Sequence, residues 1–168
     1  LSKWAIVLFG WSEDTHQYSE DDLKTLVDVG VSENQVDHED RKRIEGILNF
    51  DDLDASDVMT PRLKMYTIKK DQTLEEVYEE VLASGHTRIP VIGEDKDDVV
   101  GVLFLRDFLK AYVSQDRKQK VQALMHEPLF IGEYETIGDV FEIFQKKRRH
   151  MAIVQDEYGG TAGLISME

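Results

Sequence analysis

Two short apolar stretches of matching design, RIPVI at residues 88–92 and HMAIV at residues 150–154, decide the fold. Each is predicted to be a buried strand, because it is a brief apolar run that follows a helical pattern and precedes a turn. Each is followed by a second strand that contains a glycine, GVLF at residues 101–104 and GLIS at residues 163–166. The same signals therefore occur twice, with a period of roughly 60 residues that indicates an internal repeat.

The segments that precede these strands also match between the two copies. Each copy opens on a methionine and a proline, in DVMTP at residues 57–61 and LMHEP at residues 124–128. A short strand follows, at residues 65–68 or 129–131, and then a capped helix. The caps are Thr73 with Glu76 and Thr136 with Asp139, and the buried helix faces are Leu74, Val77, Tyr78, Val81 and Leu82 in the first copy and Ile137, Val140, Phe141 and Phe144 in the second.

The order β-α-β-β-α, met twice, predicts an α+β fold. Residues 55–122 form the first copy in this assignment and residues 123–168 the second. Asp107 opens the last helix of the first copy, whereas the second copy is truncated at Glu168, one residue before the equivalent place. Each copy is small for an independent core, so we expect the two to pack as a pair.

The composition excludes several classes of function. The chain has 168 residues, 41% of them apolar and 32% charged, as in a globular protein. Its 34 acidic and 20 basic residues give a formal net charge of −14, which argues against nucleic acid as a partner. It has no cysteine, which excludes disulfides and cysteine nucleophiles. Neither the serines nor the acids show a spacing typical of catalysis, so we do not expect an enzyme.

The residues before the repeat differ from it. Residues 1–11 are apolar and contain two tryptophans, which suits either a bilayer interface or a segment that covers a local core. Residues 12–54 are acidic, with 14 Asp or Glu against 4 Lys or Arg. Two helices are predicted there, one capped by Ser19 and ended by Gly30, the other capped by Asp37.

Three stretches carry a resemblance to a known family: DVMTPR at residues 57–62, GHTRIPV at residues 85–91 and AIVQDEYGGTAGL at residues 152–164. Together they resemble a tandem pair of CBS domains, and more closely the cytosolic part of the CNNM/CorC family of magnesium transport proteins. The resemblance covers nearly the whole chain. It implies that residues 1–11 are a juxtamembrane segment, next to the transmembrane domain of the same full-length chain, and that residues 12–54 are an acidic helical linker.

The resemblance implies a regulatory module rather than a catalyst. In that family the CBS pair binds ATP, usually with Mg²⁺ held through the nucleotide phosphates, forms a homodimer and couples to ion transport by the membrane domain. The module would lie at the cytoplasmic face of the cell membrane. Two alternatives stay open, a soluble CBS pair that senses AMP or ATP and a purely structural dimerisation module with an empty cleft.

The family's nucleotide motif is a glycine, two apolar residues, a Ser or Thr and, three residues later, an Asp. This chain splits the motif between its copies. The second copy has Gly163 and Ser166 but ends before the Asp, whereas the first has Gly101 and Asp107 with Phe104 in place of the hydroxyl. The resemblance therefore implies that the cleft containing Ser166 is the better of two.

Residues of the first copy are expected to complete that cleft, namely Thr60, Thr87, Arg88, Ile89 and Pro90. Arg88 would contact phosphate, because a guanidinium forms paired charge-assisted hydrogen bonds; the alternative is an ordinary surface ion pair. Thr60 and Thr87 would contact the base or the ribose. Ile89 and Pro90 would pack around the adenine.

The opposite cleft would use Asp107, Phe104, His126 and His150, with Phe104 filling it. Asp107 is interpreted either as a nucleotide ligand that takes the ribose hydroxyls or as a plain helix cap. The basic run KKRR at residues 146–149 is predicted to be a solvated helix end, with contact to a phosphate tail or an acidic partner as the alternative. Because the favoured cleft shows no lysine-rich cradle, we expect Mg²⁺ to screen the nucleotide phosphates.

Overall fold

The computed structural model describes residues 19–33, 37–114 and 116–167. The chain divides into two compact units, Leu1–Asn49 and Phe50–Glu168. The predicted juxtamembrane segment, residues 1–11, lies outside the described residues. Within the described part of the chain, no helix is both long and apolar enough to cross a bilayer.

The first unit contains two helices, α1 at Glu20–Ser32 and α2 at His38–Leu48. Their predicted caps are confirmed, since the Ser19 and Asp37 side chains each accept a hydrogen bond from a main-chain amide of the first turn. The prediction that Gly30 ends the first helix is wrong, because α1 continues to Ser32. An interior glycine costs a helix only about 1 kcal/mol relative to alanine, which the rest of a well-capped helix offsets.

The second unit begins before the repeat. The ring of Phe50 packs edge-on against Phe141, with 6.4 Å between the ring centres. The carbonyl of Leu53 accepts a hydrogen bond of 2.9 Å from the amide of Ile137. The structure thus places the last residues of the segment that we assigned to the acidic linker against a helix of the second copy.

Both copies have the predicted mixed order of helices and strands. The first comprises α3 (Ala55–Val58), β1 (Thr60–Pro61), a 3-10 turn (Arg62–Lys64), β2 (Ile68–Lys69), α4 (Leu74–Ser84), β3 (Arg88–Ile92), β4 (Val99–Phe104) and α5 (Leu105–Val113). A 3-10 turn (Val121–Ala123) spans the boundary that we assigned after residue 122, and the second copy then comprises β5 (Phe130–Gly132), α6 (Ile137–Lys147), β6 (Met151–Gln155) and β7 (Thr161–Ser166).

Helices α4 and α6 begin alike and end differently. Thr73 and Thr136 each cap their helix by accepting the amide of its third residue, as predicted. Helix α4 ends at Gly85, whose φ of 69° is left-handed, the conformation in which glycine is favoured. Helix α6 ends at Arg148 with a φ of 51°, a conformation that costs a residue with a Cβ roughly 1–2 kcal/mol.

Two sheets form, and residues at their edges come from the other copy. The strand order is β2-β3-β4 in one sheet and β1-β7-β6-β5 in the other. Strand β1 belongs to the first copy but pairs with β7 of the second, with Thr60 opposite Leu164. In the other direction, His126 of the second copy forms a bridge with Val102 of β4. Reciprocal main-chain pairing therefore interlocks the two copies.

Helices α4 and α6 each bury an apolar face against the sheet of their own copy, whereas Ala55 of α3 is buried in the core of the second copy. The first core contains Leu74, Val77, Val81, Ile89, Leu103 and Phe108, and the second contains Leu129, Ile131, Val140, Phe144, Ala152 and Val154. A third cluster joins the copies, with Met65 of the first against Ile153 of the second. Leu82 and Phe141, predicted on the buried helix faces, are 42% and 41% exposed because they lie at the margins of the apolar stripes.

Candidate functional site

A cavity of about 440 Å³ lies where the two copies meet, and we call it the junction cavity. The first copy contributes the segment between β1 and β2 and the residues at the start of β3. The second copy contributes residues of β6 and β7. The lining consists of Thr60, Lys64, Met65, Tyr66, Gly85, His86, Thr87, Arg88, Pro90, Met151, Leu164 and Ser166.

Five of the residues predicted from the sequence line this one cavity: Thr60, Thr87, Arg88, Pro90 and Ser166. The strand pairing brings them together, because Thr60 lies opposite Leu164 in β7, two residues before Ser166. Arg88 and Pro90 are two residues apart in β3, so their side chains project from the same face of the strand. The Arg88 guanidinium also donates a long hydrogen bond, 3.4 Å, to the Thr87 hydroxyl.

Ile89 lies outside the junction cavity, and the prediction that it packs around the adenine is wrong. Its side chain is completely buried in the core of the first copy. Successive side chains of a strand point to opposite faces, so Ile89 points away from the face that Arg88 and Pro90 share. The alternating direction of side chains along a strand such as β3 already predicts that Ile89 faces away from Arg88 and Pro90.

Asp107 lies outside the junction cavity as well. Its carboxylate Oδ2 is 2.8 Å from His126 Nε2, and the two residues line a different cavity. This hydrogen bond holds the pKa of Asp107 below its ordinary value, against an opposing effect of burial. The interpretation of Asp107 as a helix cap is wrong, because Phe104 occupies the cap position of α5 and Asp107 lies within the first turn.

An aromatic stack divides the predicted opposite cleft. The rings of Phe104 and His126 stack with 4.3 Å between their centres and an angle of 17°. His126 and Asp107 line one cavity, while Phe104 and His150 line another cavity of about 300 Å³. The four residues expected in one cleft are split between two cavities, with the phenyl ring of Phe104 between them.

The cavity of about 300 Å³ is also lined by Lys147, Arg148 and Arg149, and we call it the basic cavity. The prediction of a solvated helix end holds for Lys146, which forms an ion pair of 2.7 Å with Glu142 on the surface of α6. It also holds for Lys147 and Arg148, which are exposed, although these two and the half-buried Arg149 line a cavity as well. Arg88 lines both cavities, and its guanidinium carbon lies 5.7 Å from the centre of the Phe104 ring.

The sequence reasoning missed three polar side chains of the junction cavity: Lys64, Tyr66 and His86. The Tyr66 hydroxyl is buried and has no hydrogen-bond partner among the described residues. Burial, and to a lesser extent the charge of Glu80, raises the pKa of this phenol above its ordinary value. Lys64 adds a single lysine to a cleft for which no lysine-rich cradle was expected. The polar residues on either side of the buried Met65 were the available signal.

The lining of the junction cavity is chemically mixed. Lys64 and Arg88 supply cationic groups, Thr60 and Ser166 supply hydroxyls, and Leu164 is apolar. None of the described residues that line it is acidic, although the chain as a whole carries a formal charge of −14. Such a cavity suits an anion that also has an apolar part.

Comparison with known proteins adds to this geometry. Residues 55–114 and 121–168 match the family model of the CBS domain. The chain belongs to the CBS-domain family. Its two CBS domains are the two copies described above, which confirms the predicted fold and the repeat.

Relatives of this CBS pair carry names from magnesium transport. The magnesium and cobalt efflux protein CorC of Escherichia coli (strain K12) is 33% identical over 148 residues, 88% of this chain and 51% of the relative. The CBS domain of a bacterial CNNM/CorC family Mg²⁺ transporter superposes with a TM-score of 0.82 at 31% identity, covering 89% of this chain and 91% of that one. A structure of such a domain in complex with ATP has a TM-score of 0.73 at 34% identity, covering 77% and 92%.

These similarities confirm the resemblance to the CNNM/CorC family. The chain spans about half the length of the CorC relatives that it matches. The names of these relatives describe transport proteins rather than enzymes.

Proposed function

We propose that this CBS pair is the regulatory nucleotide-binding part of a membrane magnesium transporter, that it binds Mg²⁺-ATP in the junction cavity, and that it lies at the cytoplasmic face of the membrane. One observation carries the proposal. Cationic, hydroxyl and apolar side chains of both CBS domains line a single cavity, in a chain 34% identical to a CBS domain that was solved with ATP.

The lining residues suggest how the nucleotide is held. Arg88 and Lys64 bind phosphate oxygens through charge-assisted hydrogen bonds, and the Ser166 hydroxyl adds a neutral one. Thr60 and Thr87 contact the base or the ribose, and Pro90 packs against the adenine. Asp107 is left out of this site, because its carboxylate is held by His126 in another cavity.

Mg²⁺ is part of the proposal for an electrostatic reason. ATP carries several negative charges, and Lys64 and Arg88 offset only part of its repulsion from a chain of formal charge −14. Among the described residues there is no group of three or more metal-ligating side chains that suits an ion. Phosphate and water oxygens satisfy Mg²⁺ without a protein cage, so the ion binds through the nucleotide.

Calorimetric titration of ATP and of AMP, each in EDTA and in millimolar Mg²⁺ at matched ionic strength, tests the proposal. ATP is expected to bind about tenfold or more tightly with Mg²⁺, whereas AMP, with less charge to screen, changes less. Equal ATP affinity in the two buffers would contradict the role of Mg²⁺. Binding of neither nucleotide would contradict the proposed function and favour a structural dimerisation module.

The proposal includes a homodimer of CBS pairs that couples nucleotide occupancy to the membrane domain. Leu109 and Val113 lie one turn apart on α5 and are 37% and 79% exposed, which leaves an apolar helix face for a second copy. In light scattering across a concentration series, Val113→Asp is expected to weaken the dimer. Ile47→Asp, at a residue 73% exposed in the first unit, is the matched control. A monomeric wild type at high concentration, with and without ATP, would contradict the dimer.

A further inference from the structure

The turn between β3 and β4 contacts the segment around Lys64–Tyr66, which forms one wall of the junction cavity. The Lys96 ammonium lies 2.7 Å from the carbonyl oxygen of Met65, 3.3 Å from that of Arg62 and 3.5 Å from that of Leu63. An ammonium group has three hydrogens to donate and accepts none. One side chain thus reaches three main-chain acceptors of a single turn, which lies more than 30 residues earlier in the chain.

The next residue of the same turn adds two weaker links. The Asp97 carboxylate forms an ion pair with Arg62, whose side chain is 41% exposed, so this pair is screened by water. The Asp97 carbonyl accepts a hydrogen bond of 3.3 Å from the hydroxyl of Thr161, a buried residue at the start of β7. The turn therefore contacts the segment of the first CBS domain that carries Lys64 and, at the end remote from Ser166, strand β7 of the second.

The wall that Lys96 contacts has little regular structure of its own. Residues 65–67 lie between the 3-10 turn and β2 and belong to neither. Met65 anchors them by its buried side chain, while its neighbours Lys64 and Tyr66 line the cavity. Because no strand ladder holds these residues, the placement of the Lys64 ammonium and the Tyr66 hydroxyl depends on side-chain contacts such as those of Lys96.

We infer that Lys96 is a positioning residue for nucleotide binding. It lies outside the lining of the junction cavity and holds the Lys64–Tyr66 wall, and through it Lys64 and Tyr66, in the arrangement that receives the ligand. The inference rests on the proposed function, since it names nucleotide as the ligand. The tests below separate positioning from a general effect of charge or of stability.

The first test measures ATP affinity by calorimetry in the presence of Mg²⁺. Lys96→Met is expected to weaken binding about tenfold, and Lys96→Arg, which keeps the donors, restores most of it. Lys69→Met is the matched control, because it removes the same charge from an exposed residue of β2. Wild-type affinity in Lys96→Met would overturn the inference.

A double-mutant cycle separates positioning from loss of stability. In a Lys64→Ala, Tyr66→Phe background, which lacks both polar groups of the wall, Lys96→Met is expected to have less than about a twofold effect. In an Arg88→Leu background, which alters another wall, it should keep its full effect. An undiminished effect in the first background would overturn the inference, because Lys96 would then act on something other than this wall.

Amide hydrogen exchange without nucleotide distinguishes failure of the inference from failure of the proposed function. Residues 62–67 should exchange faster in Lys96→Met than in Lys69→Met, with Lys96→Arg close to wild type. If the wild type binds no nucleotide, the proposed function fails and this exchange alone decides whether Lys96 holds the wall. Unchanged exchange across residues 62–67 would overturn the positioning role.

Discussion

The junction cavity and the basic cavity are built on matching strands and differ in their side chains. In the first CBS domain Arg88 pairs with Phe104, and in the second Met151 pairs with Ser166 at the equivalent register. A phenyl ring thus stands in one cavity where a small hydroxyl stands in the other. His126 pairs with β4 where Thr60 pairs with β7, but it lines the cavity of Asp107 rather than the basic cavity.

Cationic side chains alone therefore do not make the basic cavity the better candidate for a nucleotide. The basic cavity is lined by the run at residues 147–149 and by the ring of Phe104, yet it measures about 300 Å³ against 440 Å³ for the junction cavity. The basic cavity also includes an acidic residue, Glu127. The junction cavity combines fewer cations with more room and with hydroxyls, which is what a phosphate-bearing ligand requires.

Copying the first domain's residue into the second gives the largest expected effect. Ser166→Phe places a ring in the junction cavity at the register of Phe104, so ATP affinity should fall more than about a hundredfold by calorimetry. Met167→Phe, which adds a ring at the next residue and outside the lining, is the control and should change affinity less than about twofold. Full ATP affinity in Ser166→Phe would place the nucleotide elsewhere.

Arg88 lines both cavities whereas Arg149 lines only the basic cavity, so removing each guanidinium in turn separates their contributions. Arg88→Leu should weaken ATP binding about ten- to a hundredfold with little loss of fold, because a charge-assisted hydrogen bond contributes roughly 1.5–3 kcal/mol. Arg149→Leu removes the same charge from the basic cavity and should change affinity far less. Equal losses of ATP affinity in the two variants would mean that both arginines act only through long-range charge.

A matched pair of glycines compares the two domains in stability. A Cβ on Gly163 would collide with the main-chain carbonyl of Thr60, whereas a Cβ on Gly101 would collide with the Met125 side chain, whose Sδ and Cγ can move although its Cβ cannot. Gly163→Ala should therefore cost about 1–3 kcal/mol of unfolding free energy in urea titrations, and Gly101→Ala somewhat less. A smaller loss for Gly163→Ala than for Gly101→Ala would contradict the close approach of β1 to β7.

Features that depend on neighbouring residues were predictable from the sequence. The helix caps at Ser19, Thr73 and Thr136 involve partners three residues away, so their chemistry is visible in the printed chain. Gly30 shows the limit of such rules, because a single unfavourable residue does not end a helix that the surrounding turns support. The repeat and the resemblance predicted the pairing of domains and five residues of the junction cavity.

Features that depend on distant contacts were not predictable in the same way. The crossing of β1 into the sheet of the second domain, and the contact of Lys96 with the turn that precedes Tyr66, join residues far apart in sequence. Asp107 matched the family motif by spacing, yet its partner is a histidine 19 residues later. Motif spacing shows which residue types are present, whereas the cavity that each one lines depends on strand register.

Whether ATP binds in the junction cavity can be measured by an NMR titration with Mg²⁺-ATP that observes ¹³C-labelled methyl groups of the 5 methionines. Met65 lines the junction cavity and Met125 lines the cavity of Asp107 and His126, so the two methyl groups report on different sites. If ATP binds where we propose, the Met65 methyl shifts and saturates with the calorimetric affinity while Met125 stays in place. A saturating change in the chemical shift of the Met125 methyl group, with that of Met65 unchanged, would contradict ATP binding in the junction cavity.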